Sequence, residues 1–326
     1  MLRTMIRNVL GALGLERRSA SESLRKELKL INQNLDKIHR SLSSLEERSH
    51  TDPTLTRSIL ELSSRLELLS TTPGPSNKLA SSDLDSLLRH YERLITLSKN
   101  SEIAIKKSII DGQDNQFRQI ESILWLQRFL DIQRPLPWTR GWAASPDFLL
   151  HIYTIIRNNR PKTVVELGSG VSTLVAAAAL RENGAGQLLT LESDEQHAET
   201  TARLLETEEL LEFAQVEFAP LEPWTPKKPS PLGEQWSWYR TAGALSKHDS
   251  IEVLIIDGPP QATGRFARFP AIPELRQKLA RGALVVLDDA RRPDEQAITS
   301  AWVEDYQMTV TQHRNYEKGL VEFRAF

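Results

Sequence analysis

Residues 164–173, VVELGSGVST, join an apolar run to a helix-forming run through an acid and two glycines one residue apart. A strand that ends in such a turn and feeds a helix presents backbone N–H groups to a nucleotide-like ligand. Further apolar runs end in acids: LLTLE at Glu192, VLIID at Asp257 and ALVVLDD at Asp288 and Asp289. Strands whose carboxyl ends all carry acids imply one site along the edge of a parallel sheet, where open α/β sheets bind their ligands.

The order of elements agrees with a doubly wound, Rossmann-like α/β sheet. Strands are expected near 163–167, 187–191, 214–218, 252–257 and 283–288. Helices are expected near 173–183, 195–208, 237–246, 271–280 and 293–304. Ser145-Pro146-Asp147 reads as a helix start, with serine as N-cap and proline in the first turn. YQMTVTQH and LVEFRAF, separated by a turn at Asn315 to Gly319, predict a C-terminal antiparallel hairpin.

The region before this sheet follows a different pattern. Leu24, Leu28, Ile31, Leu35, Ile38, Leu42 and Leu45 alternate steps of four and three, the seam of a coiled coil. The seam resumes after Asp52-Pro53 at Leu55, Ile59, Leu62, Leu66 and Leu69, and TTPGPSN at 71–77 breaks it. A helical stretch then runs from about Ser82 to Phe129. Residues 16–130 are thus expected to be an all-α coiled-coil region that makes the chain a homo-oligomer. A docking arm for a specific partner is the alternative. Residues 1–15 form a basic amphipathic segment, packed on protein or touching a membrane surface.

Composition removes several function classes. With no cysteine, the chain has no thiol nucleophile, disulfide or Cys-ligated metal. This fits a reducing, cytoplasmic setting. A net charge of −2 gives no electrostatic basis for generic nucleic-acid binding. A dinucleotide fingerprint would place a third glycine where Thr173 stands, and Glu166 would repel a pyrophosphate. The same acid attracts an ammonium group instead.

On these residues, Glu166, Gly168 and Gly170 with Ser172 in place of a third glycine, the chain resembles the class I S-adenosylmethionine-dependent methyltransferases. The resemblance covers roughly 135–326, including the final hairpin. It implies cofactor binding by the Gly168-Ser169-Gly170 turn, ribose hydroxyls on Glu192, and adenine near Ala219-Pro220-Leu221, with only apolar contact from Leu221. The readings that compete with it are a fold that has lost its ligand, Glu192 capping the next helix, and Glu166 pairing with a basic residue.

Adjacent strands bring Asp257, Asp288 and Asp289 together, and such an oxygen cluster suits Mg²⁺ or another hard divalent ion. The spacing is similar to that of metal-dependent O-methyltransferases of catechol and cephalosporin-hydroxylase-like type. That resemblance makes Asp257 and Asp288 the candidate catalytic acids, with metal lowering the acceptor's pKa. The catechol-type lysine is replaced by Pro260, so metal-free catalysis with Asp257 or His248 as base stays open, as does Asp289 acting only as an N-cap. Arg265 and Arg268 either reach an anionic or hydroxyl-rich acceptor or are solvated loop residues. Trp138, Arg140 and Trp142 either wall the site or pack between the two regions. Residues 222–236, rich in proline, are a candidate substrate lid. The implied acceptor is a sugar hydroxyl or another small molecule. N-methylation and an inactive scaffold acting through the coiled coil are the other hypotheses.

Overall fold

The computed structural model describes residues 81–325 except 242, 247 and 249. The expected amphipathic segment at 1–15, the seam from Leu24 to Leu69 and the break at 71–77 lie outside the described residues. The chain divides into two compact units, Met1–Asp111 and Gly112–Phe326. Helix α1 (Ser81–Phe129) is continuous, and its last turns, from Gly112 onward, belong to the second unit. Among the described residues, no helix is long and apolar enough to cross a membrane.

The second unit is built on β1 (Thr163–Leu167), β2 (Gln187–Glu192), β3 (Ala214–Phe218), β6 (Ile251–Ile256) and β7 (Leu279–Asp288). These parallel strands stand in the order β3-β2-β1-β6-β7, and β9 (Leu320–Arg324) and β8 (Thr309–Arg314) complete the sheet antiparallel, as the expected hairpin. Each central strand is apolar on both faces, as a doubly covered parallel sheet requires. Val164, Leu188, Val253, Ile255, Leu284 and Val286 face one core. That core is closed by α2 (Pro146–Asn159), α3 (Val171–Asn183) and α4 (Glu195–Thr207). The alternate residues Val165, Leu189, Leu254, Ile256, Val285 and Leu287 face the other. There α5 (Ala271–Leu275) and α6 (Pro293–Tyr306) supply the cover.

Three expectations need correction. No helix forms at 237–246. Instead, β4 (Leu221–Trp224) and β5 (Trp236–Tyr239) make an antiparallel hairpin, and the proline-rich stretch between 222 and 236 is its strands and tip. The physical reason is the sequence WSWY: Trp236 and Trp238 are buried while Ser237 is exposed, a period of two in residues that favour strands. The helix expected over 271–280 stops at Leu275, followed by a 3₁₀ turn at Arg276–Lys278, and β7 begins at Leu279. Ser145 is the N-cap of α2 by position, yet its hydroxyl makes no cap bond and donates to Asp147 Oδ1 at 2.7 Å.

Asp147 ties the end of α1 to the sheet unit. Its Oδ2 accepts from Gln119 Nε2 at 2.8 Å and from the Glu317 N–H at 2.9 Å. Leu126, two turns beyond Gln119 along α1, is fully buried in the adjoining core.

On the opposite face, Trp302 is buried completely, donates its indole N–H to the Phe269 carbonyl at 3.0 Å and meets Phe323 edge-on at 5.6 Å. Trp302→Ala opens a cavity between α6 and the sheet and removes this bond. It is expected to cost about 3–5 kcal/mol, read as the loss in unfolding free energy by denaturant titration.

Candidate active site

The parallel register lines up the strand ends. Leu167 stands beside Leu191 on one side and Ile256 on the other, and Ile256 stands beside Leu287. The residues that follow, Gly168, Glu192, Asp257 and Asp288, therefore share one edge. Backbone bonds hold the corners: Gly168 donates to the Leu191 carbonyl at 2.9 Å and Asp257 to the Leu167 carbonyl at 3.0 Å.

Gly168 has φ +90°, and a Cβ there would lie 3.2 Å from the Gly258 nitrogen, so both conformation and space demand glycine. Gly170 has φ +149° and opens on free space, leaving one side of the turn clear at the start of α3. Glu192 braces the turn from β2. Its Oε2 accepts from the Ser169 N–H at 2.8 Å and the Ser169 hydroxyl at 2.9 Å, and its Oε1 accepts from the Asp194 N–H at 3.0 Å. The cap of α4 is Asp194, which accepts from the His197 N–H at 2.8 Å, so Glu192 is not spent on that role.

Glu166 lies fully buried beneath the turn. Thr173 and Thr190 donate to its Oε2 at 2.6 and 2.8 Å, while its Oε1 has no partner. Thr173 Oγ1 also accepts from the Gly170 N–H at 3.0 Å. The residue that breaks the dinucleotide fingerprint is thus the link between turn and acid. Burial pushes the Glu166 carboxyl up to about 7, against the lowering effect of its hydroxyl donors.

A second polar cluster sits at the ends of β6 and β7. Asp257, Asp288 and Asp289 bring carboxylate oxygens within 4.8 Å of one another, as the strand order predicts. Arg268, expected either to reach an acceptor or to be a solvated loop residue, is 2% exposed and lies among them. Its Nη2 donates to the Asp289 carboxylate at 2.7 Å, the Asp257 carboxylate at 3.2 Å and the Asp257 carbonyl at 2.8 Å. Its Nη1 donates to the Asp288 carbonyl at 3.0 Å. Arg292 adds an ion pair to Asp289 at 2.8 Å, so Asp289 serves these cations and Arg292 takes the N-cap position of α6. Burial raises the Asp257 carboxyl while Arg268 opposes the rise, and burial with two acidic neighbours raises Asp288 well above the usual range.

A hard divalent ion needs oxygen ligands at about 2.0–2.6 Å on all sides. Here a guanidinium nitrogen already occupies the space between Asp257 and Asp289. With Arg268 in place, the three aspartates do not fit a metal.

Residues 165–290 match the family model described as a methyltransferase domain. Among solved structures, the chain is similar to an O-methyltransferase from Bacillus cereus in complex with SAH, at 18% identity and TM-score 0.43, over 64% of this chain and 91% of that one. It is also similar to a methyltransferase from Geobacter sulfurreducens, at 16% identity and TM-score 0.41, over 64% and 90%. An SAH-bound methyltransferase from Podospora anserina aligns at 16% identity and TM-score 0.42, over 70% and 97%. No curated protein matches the sequence significantly.

The remaining expected site residues separate. Leu221 opens β4, half-buried and opposite Tyr239. Arg265 stacks on Phe266 at 4.6 Å and, with Thr263, Gly264, Trp236 and Ser237, lines an open cavity of about 390 Å³ beside the hairpin. Trp138 and Trp142 are 96% and 91% exposed. Arg140 pairs with Glu317 at 2.9 Å. His248 precedes β6, at the amino end of the strand whose other end carries Asp257. A six-residue strand spans about 20 Å, which removes His248 as a base beside Asp257.

Sequence reasoning missed Tyr239. Its buried hydroxyl reaches the Gly258 backbone at the Gly168 turn and has no hydrogen-bond partner. Burial raises its pKa well above the usual value, and Glu192, Asp257 and Glu166 add to the rise. The strand pattern of WSWY was the available signal.

Glu166 predicts a pH effect on stability. Below pH 4.5 the carboxyl is protonated in both states. Between 4.5 and about 7 only the folded chain keeps the proton, so its contribution falls as pH rises through that window. The loss amounts to about 3 kcal/mol by linkage. His151, lowered to about 4 by burial, acts in the opposite sense. Urea unfolding should therefore show Glu166→Gln gaining on the parent chain between about pH 5 and about pH 8.

Proposed function

We propose that this chain transfers a methyl group from S-adenosylmethionine to a hydroxyl oxygen of a sugar or other small-molecule acceptor. The observation that carries the reading is the single edge on which a braced glycine turn and the acids Glu192 and Asp257 stand together. The residues present suit the cofactor. Glu166 Oε1, buried without a partner beneath the turn, suits an ammonium group, and the free space at Gly170 leaves room for the ligand against the start of α3. The Glu192 carboxylate can accept from neighbouring ribose hydroxyls beside its present donors. Leu221 offers an apolar contact to adenine, and the Tyr239 hydroxyl offers a donor close to Gly168.

Bound there, the cofactor supplies an electrophilic methyl group on its sulfonium. The chain's own part is to exclude water, orient the acceptor and take up its proton. Asp257 suits the last role: its side chain is 18% exposed, the most open of the three clustered aspartates. As the acceptor oxygen bonds to the methyl carbon and the sulfur–carbon bond breaks, the hydroxyl proton passes to Asp257. Arg265, in the wall of the cavity, supports binding of a hydroxyl-rich or anionic acceptor. Asp288, with its raised carboxyl and its carbonyl held by Arg268, is placed in a supporting role. No step here runs through a divalent ion, because Arg268 holds the space between the aspartates. Self-association through the helical region is part of the same proposal. Ile103, Ile110, Phe117 and Leu124, exposed at steps of seven along α1, favour it.

Calorimetry with S-adenosylhomocysteine tests the reading. Binding is expected for the parent chain, with at least a tenfold loss, about 1.4 kcal/mol, in Glu192→Ala. Asp257→Asn should keep that binding and lose methyl transfer by about 100-fold or more in an acceptor screen. Absence of binding would sink the reading and leave the scaffold hypothesis. Methyl transfer to an amine would replace the acceptor class.

A further inference from the structure

The fold family leads to the expectation of a divalent ion among Asp257, Asp288 and Asp289, yet the geometry of this chain points to a different cation. We propose that Arg268 is the resident cation of the cluster, standing in the position an ion would take between Asp257 and Asp289, and that the site works without a divalent metal.

The bonding pattern is that of a shared cation rather than of a single ion pair. One nitrogen, Nη2, reaches oxygens of both Asp257 and Asp289, and Nη1 reaches the carbonyl of Asp288, so all three aspartates meet one guanidinium. Glu295 lies 4.0 Å from its Nε and extends the acidic surround. The side chain is held in place from its own backbone. Ala267 and Phe269 on either side are buried, and the Phe269 carbonyl is bonded to Trp302. To admit a metal, the guanidinium would have to leave a buried pocket in which it is paired with Asp257 and Asp289. Arginine also cannot shed its proton to make way.

Arg268 then acts as a positioning residue. By binding both the carbonyl and Oδ1 of Asp257, it fixes the end of β6 and leaves Oδ2 as the oxygen that can receive a proton. It supplies a fixed charge that needs no loading, where a metal would make activity depend on ion supply.

Titration of the full chain with Mn²⁺ alone, followed by calorimetry and by the Mn²⁺ spin-resonance signal, tests the assignment. The parent chain is expected to show no saturable site at the cluster, and its thermal midpoint should not change with EDTA. Arg268→Met, which keeps length but removes charge, should gain at least about tenfold in Mn²⁺ affinity, because Asp257 and Asp288 lose their shared cation and Asp289 keeps only Arg292. Arg268→Lys should stay closer to the parent. A saturable Mn²⁺ site in the parent that Asp289→Asn abolishes would overturn the proposal, as would a folded Arg268→Met with no gain. Should Arg268→Met not fold, the parent titration decides alone. The catalytic consequence rests on the methyl-transfer reading, but ion binding is read directly. Failure of one is thus distinguishable from failure of the other.

Discussion

Five acids are buried or nearly so on one edge of a parallel sheet, and the structure depends on how their charge is held. Glu166, Glu192, Asp257, Asp288 and Asp289 all follow from strands whose ends coincide in register. Left alone, such carboxylates repel each other and lose their hydration. Four of them are relieved in three ways. Glu192 accepts backbone N–H groups from the turn it braces, Glu166 is supported by hydroxyls and a raised pKa, and Asp257 and Asp289 share Arg268. The edge is therefore divided into an anion-supporting turn over β1 and β2 and a guanidinium-centred cluster over β6 and β7.

Much of this was legible from residue order. Apolar runs such as VVEL and VLIID are short, bounded by breakers and apolar at every position, and only a doubly covered strand uses such a run. Their terminal acids needed no structure to be grouped, because parallel strands share an edge. What residue order concealed was contact between segments distant in sequence. Arg268 follows Asp257 by eleven residues on a loop with Gly264, and nothing local shows that the loop folds back beneath the aspartates. Trp138 and Trp142 face solvent, although large aromatics suggest burial. The region 237–246 was misread because a helical spacing can be drawn through it once the period of two in WSWY is ignored.

The aromatic hairpin changes more than a secondary-structure assignment. A helix after β3 would cover the sheet face with a cylinder about 10 Å across. The β4–β5 hairpin instead puts Trp236, Trp238 and Tyr239 in the same buried core as Val165, Leu167 and Leu254. This brings a tyrosine hydroxyl to the Gly168–Gly258 junction, and it leaves the exposed Ser237 side and the Gln261–Ala267 loop to bound an open cavity. The same substitution of architecture packs Trp236 against Phe269 at 4.9 Å, next to Arg268. The hairpin thus bears on both parts of the edge at once. It closes the space over the turn with Tyr239 and, through Phe269, backs the loop that carries the guanidinium. A fixed internal cation requires its loop to be anchored more firmly than a metal site does, because the charge is tethered to backbone rather than held by its ligands alone. The packing of three aromatic residues, Trp236, Phe269 and Trp302, around that loop is the anchor this chain provides.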